Sequence, residues 1–591
     1  MRQPFLRTAL SGIVAFMLSA CGGSGGGGGD HPSGPAVIQV VSGDAQTGIV
    51  GTELPVALTV RVVDSSARPS VGATVTWSIT SGAGTVTPAT GTTDDNGTTS
   101  ARWTLGTTAG TQRVSAAVAG IPAAQFAATA TASAVSAVVV TSPSMQPSEG
   151  DTVQLVATVK DEFGNTVPGA AVTWSSDDPE RFPVSATGLL QTWGYGPLVV
   201  SAQAADRVGQ LLLQARRIEL AIEFGAKEVA HDWNTDRCEL MDVIDGPARF
   251  VRANDGSLVL FDGNAPNYYV SRGADFGSLR RDCSGPALVS AMSSAPESYE
   301  NVEWLWAVYR EGSTWHALVH NEFHDALAAT CQPGNPLPGN PCWYNSVTYA
   351  VSTNGGHSFS KPGVPAHVVA PPPNAWVPPS AGPPVGNGFV EGYFNPSNIV
   401  HAADGYYYTY FMAIPAQNWA VAQGLCAIRT QTLGDPASWR AWDGSGFNLR
   451  MISPYVTGSP ATVCTFLDTL MTHSHVVYNT YLERYMAVAS GQGLLDVDGR
   501  PTCGFFYALS ADLVHWSEHR LLAEASLPWC QAGPDALEPV TVLYPSIVDH
   551  TDTTVNFERA GRTPHFYYVR YNDGGIDRDL MRVPMTLTRT N

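Results

Sequence analysis

Charge is scarce in this chain: Asp, Glu, Lys and Arg together make up 14% of its 591 residues. Basic residues are the scarcer kind, 32 against 51 acidic, which leaves a formal charge of −19. No nucleic-acid partner is expected from that balance, because little here would neutralise phosphates. No cysteine falls between Cys21 and Cys238, and neither a Cys-x-x-Cys nor a His-Glu-x-x-His pattern occurs. A structural or catalytic zinc is therefore not expected. After Leu18 no apolar run approaches the roughly 20 residues that a membrane-spanning helix needs.

What is present begins with an export signal. Arg2 and Arg7 lead into an apolar run from Ala9 to Leu18, which has the proportions of a signal-peptide core over residues 1–20. The following Leu18-Ser19-Ala20-Cys21 resembles the lipobox of bacterial lipoproteins. That resemblance implies lipidation of Cys21 and attachment to a membrane outside the cytoplasm, in the outer membrane or at the cell surface. Several acyl chains hold far better than one, at about 0.8 kcal/mol per buried methylene. Gly22 to Gly29 contains a single serine, so residues 21–35 read as a flexible tether. The eight cysteines that remain all lie beyond residue 230 and suggest disulfides formed in an oxidising compartment. Cys331 and Cys342 flank a Pro/Gly-rich loop and make the best local pair; other pairings stay open.

Plentiful Gly and Pro, with frequent Trp and Tyr, suit an all-β chain. Residues 36–216 alternate Val/Thr/Ala runs with turn clusters, as sandwich strands do. Asp64 precedes Trp77, and Asp161 precedes Trp174, at the same spacing and about one sandwich length apart. Two immunoglobulin-like sandwiches follow, over 36–133 and 134–216, with Trp77 and Trp174 expected to plug their cores. The pair resembles the bacterial immunoglobulin-like domains of invasin and intimin adhesins, which implies a stalk.

From residue 217 to 591 a longer repeat appears. Ala248–Arg252 with Leu258–Phe261, Trp306–Arg310 with Trp315–Val319, and Ser397–Val400 with Tyr406–Phe411 after Asp404-Gly405 are successive strand pairs. Val476–Asn479 with Arg484–Val488, and Tyr544–Val548 with His565–Val569, complete five units. Radial repetition relieves the edge-strand problem of an all-β chain, so a five-bladed β-propeller is expected. Ser510-Ala511-Asp512-Leu513-Val514-His515-Trp516 and the Asp404–Tyr408 hairpin resemble the propellers of glycoside hydrolase family 43 and its relatives. Ser352–Phe359 resembles the Asp-box hairpin of sialidases, a structural motif.

The family resemblance implies hydrolysis of glycosidic bonds of a carbohydrate by a base on the first blade, an orienting carboxylate on the second and an acid on the third. Asp242 and Asp245 both precede the first inner strand, and Asp245 lies nearer it. In His320-Asn321-Glu322-Phe323-His324, several functional groups crowd a strand end, so Glu322 is a candidate acid or tuning carboxylate, with His320 and His324 on sugar hydroxyls. Glu391-Gly392 is the second candidate acid, although its distance from the Tyr-rich hairpin exceeds the family's. Asn395, Asn398, Arg429 and His475 complete the expected substrate-binding set, beside Asp242. No cofactor is required; an axial calcium is left open, and the protein is expected to be a monomer. The rival expectation is a glycan-binding or adhesin-like surface protein without catalysis.

Overall fold

The computed structural model describes residues 34–325, 342–377, 389–415, 423–456, 458, 461–467, 474–495, 501–573 and 575–590. Cys21 and Cys331 lie outside the described residues. Among the described residues the chain is built of β-strands, with one short α-helix at Trp233–Asp236. No helix there is long and apolar enough to cross a membrane. By internal contact the chain divides into two units, Met1–Val139 with Ala157–Val172 and Gln203–Gly209, and Val140–Val156 with Thr173–Ala202 and Gln210–Asn591.

The first unit holds a four-stranded and a five-stranded sheet. In Thr74–Ser81 burial alternates, which sends Val75 and Trp77 inward. Trp103, which the repeat did not single out, is fully buried in the same core. Both repeat aspartates build the same turn. Asp64 Oδ1 accepts from the backbone N–H of Ser66 and Arg68, and Asp161 Oδ1 accepts from Phe163 and Asn165. Trp174 departs from expectation. It is half-buried against the core of Val153, Phe182 and Leu198, and its indole lies over Gly188. The strand that carries it, Thr173–Ser176, is only four residues long.

In the larger unit, residues from 220 onward form successive antiparallel groups. The first runs Arg249–Arg252, Leu258–Phe261, Val270–Gly273 and Arg280–Arg281. The second runs Val302–Glu311, Thr314–His324, Cys342–Ser352 and Val368–Ala370. Val400–His401, Tyr407–Ile414, Gly424–Thr430 and Arg440–Trp442 make the third. The fourth is His475–Asn479, Arg484–Leu495, Pro501–Ser510 and Arg520–Glu524. In the last, Val542–Val548, His565–Tyr571 and Arg578–Arg589 are completed by Leu220–Phe224, so Leu220 pairs with Arg589. That pairing ties the two ends of the region together and covers an edge strand.

The first strands of these groups come close to one another. Arg249 of the first group donates to the carbonyl of Trp306 in the second (3.1 Å) and of Ser474 beside the fourth (2.6 Å). Tyr309 and the backbone of His401 both bond Glu558. Three disulfides, Cys238–Cys283, Cys426–Cys464 and Cys503–Cys530, staple the region. Cys342 is also disulfide-bonded; its expected partner Cys331 lies outside the described residues. The Ser352–Phe359 hairpin is structural, with Ser352 and Asn354 side chains holding the backbone of Gly356 and Ser358.

Candidate active site

In an antiparallel group the start of the first strand and the end of the second lie at the same end of the sheet. Asp245, just before Arg249–Arg252, and Glu322, near the end of Thr314–His324, therefore share an end with Asn395 and His475. Contacts join them. Asp245 accepts from the Tyr544 hydroxyl at 3.0 Å and from Arg578. Tyr544 packs edge-on against Trp306, Trp306 against His320, and His320 bonds Glu322. The Tyr544 hydroxyl is held well above its ordinary pKa, first by burial and then by the Asp245 charge. Asp245 is thus braced by a cation and by a phenol that stays protonated.

Glu322 is clamped between two imidazoles, with His320 Nε2 at 2.9 Å from Oε1 and His324 Nε2 at 3.0 Å from Oε2. Burial pushes its carboxyl up, but the hydrogen bonds from the two histidines win and hold the pKa at about 2. The backbone N–H of Asn395 donates to His320 Nδ1 (3.4 Å), which leaves the His320 proton on Nε2, pointed at the carboxylate. Asn395 itself adopts φ +53°, a left-handed conformation that Asn tolerates better than most residues. Glu322 is an anion in any ordinary buffer and a poor proton donor. Its folded pKa lies below the ordinary 4.5, so its contribution to stability is present above about pH 4.5 and is lost as pH falls towards 2. Glu322→Gln is expected to flatten that acid loss, and urea midpoints measured between pH 5 and 2.5 will show whether it does.

Glu391 has the opposite character. It is 1% exposed, and burial raises its pKa to about 7 against the hydrogen bond from Asn374 Nδ2 at 2.9 Å. Of the candidate carboxyls it is therefore the one matched to giving up a proton near neutrality. Register sets its direction. Tyr344 pairs with both Phe323 and Glu391, while Asn345 pairs with both Glu322 and Gly392. Paired residues share a face, so Glu391 joins Phe323 and Tyr344 on the face opposite Glu322. Gly392 (φ +120°) lets the strand run hard against the Asn345 carbonyl, where any Cβ would collide.

Other expected ligands stand elsewhere. Asp242 is not a sugar ligand: it is fully buried and bonds Arg281 Nε at 3.1 Å and the Cys238 N–H at 2.9 Å. Arg281 also bonds Asp262 at 2.6 Å, and all three are buried. Burial opposes the Arg281 charge, but the two carboxylates outweigh it and raise its pKa. Asn398 is spent on structure, accepting from Val476 N at 2.7 Å and donating to Val476 O at 2.8 Å. Arg429 lies at the other end of its hairpin, beside the Asp404-Gly405 turn. There it bonds Tyr408 and stacks on Tyr406 and Phe447, next to a cavity of about 380 Å³. His475 is buried, and burial and then the nearby Arg249 charge keep it neutral.

Calcium takes six to eight oxygen ligands. Where Arg249 meets the Trp306 and Ser474 carbonyls, a cation would face the buried Arg249 guanidinium, with the His475 imidazole beside it. Among the described residues, no group of three or more His, Cys, Asp or Glu side chains is placed to hold a metal ion.

No family model matches this sequence, and no curated protein does. Solved structures similar to it include adhesin immunoglobulin-like domains and propeller-type glycoside hydrolases, all at low identity. The Escherichia coli adhesin FdeC is 17% identical, covering 55% of this chain and 92% of its own, with a TM-score of 0.24. An endo-arabinase from Bacteroides thetaiotaomicron is 12% identical, covering 62% and 98%, with a TM-score of 0.30. A xylan β-1,4-xylosidase from Bacillus halodurans is 10% identical, covering 60% and 54%, with a TM-score of 0.31. Likenesses of this strength leave the chemistry to the residues.

Proposed function

We propose that the protein is a cell-surface glycoside hydrolase whose five strand groups are the blades of a propeller. One observation carries the reading: two carboxyls in this region have environments that drive their ionisation apart, Glu322 to about 2 and Glu391 to about 7. In this mechanism Glu391 protonates the departing sugar oxygen and Asp245, paired with Arg578, takes the proton of the attacking water. Glu322, permanently charged, orients the site and favours the cationic character of the sugar ring at the transition state. Cys21 anchors the chain to a membrane, and the sandwiches hold the head away from it.

The test is turnover. The full chain, incubated with a polysaccharide panel that includes arabinan and xylan, should release new reducing ends from at least one. Asp245→Asn should lower that rate about 10²-fold or more while leaving the thermal midpoint in place. Silence on every glycan would remove the hydrolase reading. The placement of Glu391 on the face opposite Glu322 favours a second reading, a glycan-binding protein without catalysis. Retained glycan affinity with no turnover would establish that reading instead.

A further inference from the structure

Among the described residues, every other deeply buried arginine of the larger unit has a carboxylate against it. Arg281 has Asp242 and Asp262, and Arg520 has Glu149. Arg249 is the exception. It is 3% exposed, its Nε and Nη2 bond the carbonyls of Trp306 and Ser474, and its Nη1 has no partner. Among the described residues no carboxylate is placed to compensate it, and burial pulls its pKa down to about 9, so the guanidinium is still charged at neutral pH. Backbone carbonyls supply partial charge only, and an ionised group buried without a counter-charge is strongly disfavoured.

The next residue after the Ser474 carbonyl is His475, 5% exposed, with Nδ1 also unpartnered. Its imidazole feels the Arg249 charge and is neutral, so it brings one N–H and no second positive charge. One uncompensated formal charge and two idle nitrogens stand together where the inner strands meet. We propose that Arg249 and His475 form a buried site for a small monoanion, a halide or a carboxylate group. A monovalent ligand balances the single charge, whereas sulfate or phosphate would leave a buried negative excess. The site stands apart from the hydrolase reading, since neither residue acts on the scissile bond there.

The experiment follows thermal unfolding of the full chain at constant ionic strength, exchanging a bulky sulfonate for chloride, formate, glucuronate or glucose. The midpoint should rise by about 2 °C for each tenfold increase in a bound anion above its Kd, and Arg249→Met should abolish the rise. A response to chloride and formate assigns a free ion. A response to glucuronate but not to glucose or chloride assigns the carboxylate of an acidic sugar. Either supports the site. Should the variant fail to fold, anomalous diffraction from bromide-grown crystals of the unaltered chain decides, with a peak expected within contact of Arg249 Nη1. No anion-specific shift and no bromide at Arg249 would overturn the proposal.

Discussion

Glu391→Gln is expected to lower kcat/KM on glycosides with poor leaving groups by about 10²–10⁴-fold, the usual worth of a positioned general acid. Aryl glycosides whose leaving group departs without a proton should be largely spared. The reasoning is electrostatic. Burial disfavours the charged form of Glu391 more than the Asn374 amide favours it, so the carboxyl holds its proton to about pH 7. An acid must be protonated to act. Activity should therefore decline as pH rises through about 7, and the glutamine variant should lack that limb. Rates measured from pH 4 to 9 on paired substrates separate the outcomes: an alkaline limb that survives in Glu391→Gln means another group gives the proton. Glu322 cannot take that place, because its two histidines keep it ionised far below the working range.

The second large effect concerns stability. Arg281→Met should cost the larger unit about 3–5 kcal/mol, since it strands two fully buried carboxylates, Asp242 and Asp262, without their cation. Methionine fills much of the same volume, so loss of packing contributes little. Adding Asp242→Asn and Asp262→Asn should recover a large part of the loss, because neutral amides remove the stranded charge. Guanidinium unfolding of the single and triple variants measures both. A single variant as stable as the unaltered chain would mean that water, rather than Arg281, compensates the two acids.

Local signals in the sequence were legible where chemistry acts between near neighbours. Asp64 and Asp161 close their turns through bonds two and four residues along the chain, so spacing alone located them. The Asp404-Gly405 hairpin and the His320–His324 cluster could be read for the same reason: alternation along one strand puts His320, Glu322 and His324 on one face. Asp242 reads in the sequence as a free carboxylate because its partner Arg281 lies 39 residues away, and nothing beside it marks a buried ion pair. Arg249, Trp306, Tyr544 and Arg578 gave no signal of a site. Each reads as an ordinary strand residue until the inner strands meet.

Asp245 shows the division most clearly. Sequence alone determined that this chain is all-β, that its C-terminal region repeats a strand-pair unit, and that an aspartate stands just ahead of the first inner strand. Those are matters of periodicity and turn chemistry, settled within a few residues. Only the tertiary structure decided that Arg578, 333 residues later, braces that aspartate, that Glu322 is locked in its ionised form, and that burial raises the pKa of Glu391 on the opposite face. Burial and long-range charge set ionisation, and both come into being only when distant strands pack together.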